Sequence, residues 1–126
     1  MAWTDKPATP HMKKLCNSLG SEYEINQHFG LERIIYRDLG NGYEIEISGA
    51  NTSSKNKPVS IFLWCTAPMR VVGCINDVPQ NDIAECIDFM NIFSEYHKNS
   101  TPEAQKKLLE LFQRDWTELK QFYLNS

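Results

Sequence analysis

The tripeptide Gly40-Asn41-Gly42 constrains this chain more than any other stretch, because it separates two segments with strand-like alternation. Arg33-Ile34-Ile35-Tyr36-Arg37-Asp38-Leu39 leads into it, and Tyr43-Glu44-Ile45-Glu46-Ile47-Ser48 leads out. Asn-Gly is a strong hairpin signal, since a type I′ turn needs positive φ at both central residues. Taking Asn41-Gly42 as a two-residue turn pairs Gly40 with Tyr43, Asp38 with Ile45, Arg37 with Glu46 and Tyr36 with Ile47. Strand alternation then gives Ile34, Tyr36, Tyr43, Ile45 and Ile47 one face. Arg33, Ile35, Arg37, Leu39, Glu44, Glu46 and Ser48 take the other. A slip of one residue would carry a strand's apolar set to the wrong side, so this register decides inside from outside.

Around this hairpin the pattern predicts an α+β domain over residues 10–126, preceded by a loose tail at residues 1–9 that is expected to be flexible. Thr9 with Pro10 starts a short helix, Met12, Leu15, Cys16 and Leu19 make its apolar face, and Gly20 stops it. Residues 21–29 alternate with period two and predict a fifth, edge strand. Gly49 to Pro58 is the longest loop and the expected mobile or contacting element. Val59 to Cys65 is a strand apolar on both sides, and Arg70 to Ile75 returns from it, with Gly73 marking a bulge. The result is an antiparallel meander of four or five strands.

Two C-terminal helices follow. Asn81 is the expected cap of the first, with Asp82 and Glu85 in its opening turn. Its stripe of Ile83, Cys86, Ile87, Met90, Ser94 and His97 is widened by Phe89, Ile92, Phe93 and Tyr96, more arc than packing on one surface requires. The second starts at Thr101-Pro102 or at a Ser100–Glu103 capping box and is expected to run unbroken to about Tyr123. Leu108, Phe112, Trp116, Leu119 and Tyr123 form its inward stripe. Both helices should lie on one sheet face, that of Ile34 and Tyr36.

Composition limits function. A net charge of −3 and a pI near 5.6 leave no basic excess for general nucleic-acid binding. Lys13-Lys14 and Lys55 to Lys57 are the only basic clusters and read as solvated surface. No run approaches the ~18 apolar residues of a membrane span, and no charged-then-apolar leader opens the chain. Cys16, Cys65, Cys74 and Cys86 lack metal-ligand spacing and are expected to be reduced, as in the cytoplasm. The turn between their strands leaves room for Cys65 and Cys74 to face each other, which by itself is too few ligands for a metal. His11, His28 and His97 fall on three different elements, so neither a metal nor another cofactor is expected. Glycine cradles for phosphate and a nucleophile elbow are absent from the sequence.

What rises above background is a surplus of aromatic residues, the mark either of an aromatic-rich core shared between the two helices or of an interaction patch. The expectation is a non-catalytic binding protein, a small phage or bacterial accessory protein of the inhibitor, immunity or anti-defence kind by analogy alone. It would dock a protein partner, or its own copy as a homo-oligomer, on the open sheet face around Arg33, Arg37 and Trp64 or on the last helix. The alternative is a small anionic ligand such as a nucleotide, held by Trp64 or Trp116 and by Arg70 or Arg114.

Overall fold

The computed structural model describes residues 7–28, 32–111 and 113–124, and the side chains of all these but 27, 28, 109–111, 113, 114 and 122–124. Helix α1 (Pro10–Leu19) precedes five strands: β1 (Glu24–His28), β2 (Glu32–Asp38), β3 (Tyr43–Ser48), β4 (Val59–Thr66) and β5 (Met69–Val78). A 3-10 turn at Gln80–Asp82 leads into α2 (Ile83–Lys98), then α3 (Pro102–Leu111), a short strand β6 (Gln113–Asp115) and α4 (Trp116–Leu124). The sheet order is β1-β2-β3-β4-β5-β6, an antiparallel meander of five strands with β6 added parallel to β5.

The N-terminal helix forms as its sequence predicts. Thr9 Oγ1 accepts from the Met12 amide and Pro10 occupies the first turn, while Gly20 ends the helix with φ of 130°. Residues 1–6 of the expected tail lie outside the described residues. Thr9 itself is tied: its amide donates to Asn51 Oδ1 at 2.9 Å and its hydroxyl to the Thr52 carbonyl at 2.8 Å. The 49–58 loop is thereby anchored rather than loose, and Ala50 within it is fully buried.

The hairpin differs from expectation in one consequential way. Tyr36 pairs with Glu46, Arg37 with Ile45 and Asp38 with Glu44, displaced by one residue from the two-residue-turn register. Leu39 instead bonds to the Tyr43 carbonyl across a loop of Gly40, Asn41 and Gly42. Gly40 and Gly42 carry the positive φ values, 81° and 90°, and the Gly40 amide donates to Asp38 Oδ1. Glycine pays no Cβ penalty in that region. Asn41 is not used for its turn propensity; its side-chain amide donates to Ser94 Oγ and Glu95 Oε1 on α2. The looser three-residue loop is therefore held by a tertiary tether.

This displacement reverses β2. Ile35, fully buried, faces the helices together with Tyr43, Ile45 and Ile47, whereas Ile34 and Tyr36 lie on the opposite face. Strand β4 behaves as its two-sided composition implies: Ile61 and Leu63 are fully buried in the core, and Phe62 and Trp64 are half-buried on the far side. The pairing of β4 with β5 shifts between Leu63 and Trp64, beside Gly73, where a bulge is expected. Met12 and Cys16 of α1, Ile83, Cys86, Ile87 and Met90 of α2, and Trp116 and Leu119 of α4 join one hydrophobic core on the Ile35 face. Cys65 lies on that face and Cys74 on the other, so the two do not oppose each other.

Two helix boundaries also differ. The 3-10 turn absorbs Asn81, which does not cap α2; Asp82 stands at the cap position without a capping hydrogen bond. Thr101 caps α3 by accepting from the Ala104 amide, as expected. The last helix is not continuous, however: it stops at Leu111, and residues 113–115 pair with Cys74, Ile75 and Asn76 on the free edge of β5. An unpaired strand edge is a strong sink for backbone hydrogen bonds, and here it outweighs helical periodicity. Phe112, assigned to the inward stripe, lies outside the described residues.

Ile35→Ala and Ile45→Ala should each lower stability by about 2–5 kcal/mol in urea denaturation. Under the pairing set by a two-residue turn, only the second would.

Candidate functional site

The residues expected to form a partner surface, or alternatively an anion site, are dispersed over the fold. Arg33 and Arg37 fall on the helix-side face of β2, half-buried at the β1 end of the sheet. The Arg37 guanidinium donates to Tyr23 Oη at 3.0 Å and lies 5.3 Å from the centre of that ring, a structural cation–π contact. Trp64 is on the opposite face, where its indole donates to Glu46 Oε1. Arg70 is exposed at the start of β5, opposite Cys65. Trp116 is 4% exposed, and its indole N–H donates to Asp82 Oδ2 at 2.9 Å. It is a core residue and offers no stacking surface. Arg114 pairs with Ile75 through β6, and its side chain is outside the described ones. The structure thus joins Arg33 with Arg37 but separates both from Trp64, and it buries Trp116.

Opposite the helices, Tyr36, Glu46, Phe62 and Cys74 form one cross-strand row, and Asp38, Glu44, Trp64 and Val71 form the next. Tyr36 Oη donates to Glu44 Oε2 at 2.9 Å. Burial, then the Glu44 carboxylate, push the Tyr36 phenol up to about 12, so it stays a neutral donor. The Glu44–Glu46 pair therefore works as an acceptor for two aromatic donors, which is structural chemistry rather than acid–base partnership.

The helix-side face holds a buried polar group. Tyr43 Oη and His97 Nδ1 are 2.7 Å apart, with the two rings edge to face at 87°. Phe93 packs against the same imidazole. His97 is 2% exposed, and burial followed by the nearby Arg70 charge holds its pKa below the ordinary 6.5. Its carbonyl accepts from Gln105 Nε2, joining the end of α2 to α3. Together with Asn41 and Ser94, this group pins the hairpin to α2.

Three of the cysteines lack the thiolate character of a nucleophile. Burial raises the thiols of Cys16, Cys74 and Cys86, the last to about 12 with help from Asp82 and Glu85. A reactive cysteine needs the opposite shift. All four cysteines are unpaired. Among the described residues no three His, Cys, Asp or Glu side chains converge on a metal position, and no helix is long and apolar enough to cross a membrane.

Two features lie outside the predicted site. On α2, Ile92 is 66% exposed and Tyr96 65%, one helical turn apart and so on one face. Phe89, half-buried, continues the line three residues before Ile92. The excess apolar arc of this helix was the signal in the sequence. At the other end of α2 is a cleft of about 810 Å³ between α1, the 49–58 loop and the 3-10 turn, lined by residues that include Lys14, Lys55 and Gln80. Compared with known proteins, the chain matches no family model, no curated protein and no solved structure.

The unfolded chain protonates His97 near pH 6.5 and the folded chain does so only at lower pH, so between those values the unfolded state binds more protons. Stability is then complete above pH 6.5 and declines as pH falls below it, by at most about 1.4 kcal/mol per pH unit. Urea denaturation on both sides of pH 6.5 should show this slope, and His97→Gln should flatten it.

Proposed function

We propose that the chain is a non-catalytic protein-binding module that docks a partner on the outward stripe of α2. The observation that carries this reading is the pair Ile92 and Tyr96, each about two-thirds exposed, on a helix whose opposite stripe is sealed in the core. An isolated exposed apolar residue means little; an aligned Phe89–Ile92–Tyr96 line is the geometry by which helices meet partners. Covering Ile92 and Tyr96 would contribute about 1.5–3 kcal/mol each, the scale of interface hot spots.

Charge names the partner. Asp88 and Glu95 are exposed along the same helix, as is Glu85 beside Lys120, with Lys98 at its far end. That rim favours an apolar segment flanked by basic residues. A second copy of this chain would bring acidic rims close together, so self-association is the weaker version. The assignment moves docking from the sheet face around Arg33, Arg37 and Trp64 to α2, because those three do not share a face. The role fits an inhibitor- or immunity-type accessory protein, and four unpaired cysteines fit the reducing cytoplasm.

An NMR titration with an amphipathic Lys/Leu helical peptide tests this. Binding should shift the Ile92 and Tyr96 signals and should be lost in the double variant Ile92→Glu, Tyr96→Glu, whose fold should persist because both sites are exposed. A Glu/Leu peptide of the same pattern should not bind. Equal binding of both peptides would remove the charge assignment, and a dimer dissociated by the double variant would make the occupant a second copy.

A further inference from the structure

The cleft at the opposite end of α2 has the composition of an anion site, and nothing in the α2 stripe depends on it. We propose that it binds a small phosphate monoester with an aliphatic body, the phosphate between Lys14 and Lys55 and the body on Leu15, Leu19 and Ala84. One lysine of each basic cluster, Lys14 and Lys55, 41 residues apart in sequence, lines the cleft from α1 and from the 49–58 loop. The chain carries 16 acidic residues against 13 basic ones, yet among the described residues no carboxylate lines the cleft.

The exclusion of carboxylates has a structural cause. The two acidic groups at the start of α2, Asp82 and Glu85, are drawn to the C-terminal segment. Asp82 accepts from the Trp116 indole and lies 3.4 Å from Lys120 Nζ, and Glu85 lies 3.7 Å from the same ammonium. Lys14 and Lys55 form no ion pair among the described residues. Two cations without counter-charges thus border one cavity, and each is long enough to close on a ligand as a point charge.

The walls are preformed. Gln80 Nε2 donates to the carbonyls of Ser54 and Lys57, both at 2.9 Å. Since carbonyls only accept, this fixes the amide, and Gln80 Oε1 is left to accept from His11 Nε2 at 2.6 Å. One side chain therefore clamps the loop to α1 across the cleft floor, and the Thr9 bonds to Asn51 and Thr52 hold the other end of that loop. Asn56 and Asn81 add amide donors at the rim. The cavity volume lies within the range of small-molecule sites, which are largely formed before binding. Among the described residues no Phe, Tyr or Trp lines it, so the lining offers aliphatic rather than stacking contacts to an apolar body.

The test is a calorimetric and NMR titration of the full chain with n-hexyl phosphate, beside inorganic phosphate and n-hexanol. The expected result is that hexyl phosphate binds more tightly than either fragment, shifts the Leu15, Leu19 and Ala84 signals, and weakens as salt is raised. Lys14→Gln with Lys55→Gln should weaken it about tenfold with an unchanged thermal midpoint, since both lysines are exposed. Absence of binding at millimolar hexyl phosphate overturns the proposal. So does binding that survives the double variant, or hexanol binding as well as its phosphate ester.

Discussion

The alignment of β2 against β3 is the constraint from which the rest of the structure follows. It places Ile35 opposite Ile47 and so hands the helices a continuous floor of Ile35, Ile45, Ile47, Ile61 and Leu63, all fully buried. Because β strands have a period of two, no intermediate arrangement exists: the other register would put Arg33 and Arg37 outside and Ile34 and Tyr36 beneath α2. What holds the observed register is a set of bonds reaching beyond the hairpin. Asn41 reaches Ser94 and Glu95, Tyr43 meets His97, and Thr66 binds the Gly42 carbonyl through both its amide and its hydroxyl. Each is modest alone, at about 0.5–1.5 kcal/mol net. Together they tie one loop to both α2 and β4.

The C-terminal segment resolves a second constraint, the free edge of β5. Three residues leave the helical path to pair there, and the chain re-enters a helix at Trp116, whose indole binds Asp82. That arrangement has effects at both ends of α2. At its start it draws Asp82 and Glu85 toward Lys120 and away from the α1 side, which leaves the basic cleft without carboxylates. Further along, the helix remains uncovered at Ile92 and Tyr96.

The candidate residues were legible to different degrees. The excess apolar arc of α2 is visible in its sequence, because a helix that packs on one surface has no use for Ile92 and Tyr96 in addition to its core stripe, which Phe89 borders. The lysine clusters are visible as well, but their meeting is not, since it depends on Gln80 bridging the loop and His11. Trp116 reads in sequence both as part of the inward stripe of the last helix and as an aromatic available to a ligand; the structure puts it in the core, with its indole bonded to a carboxylate 34 residues away. Arg37 looks like a surface cation, yet it is spent on Tyr23. Such pairings join distant segments, and local pattern carries no record of them.

By itself the sequence determined what local chemistry can determine. Thr9 and Pro10 start a helix that Gly20 ends, Thr101 starts another, Gly73 marks a bulge, and the spacing of apolar residues gives an α+β chain with a five-stranded meander. These are decided within a few residues by φ preferences, capping oxygens and periodicity. Tertiary structure alone decided the hairpin register, the departure from helix at residues 113–115 and the faces of β2. In each case two local conformations were close in energy, and bonds to a remote element (α2 for the hairpin, the β5 edge for the break) selected between them.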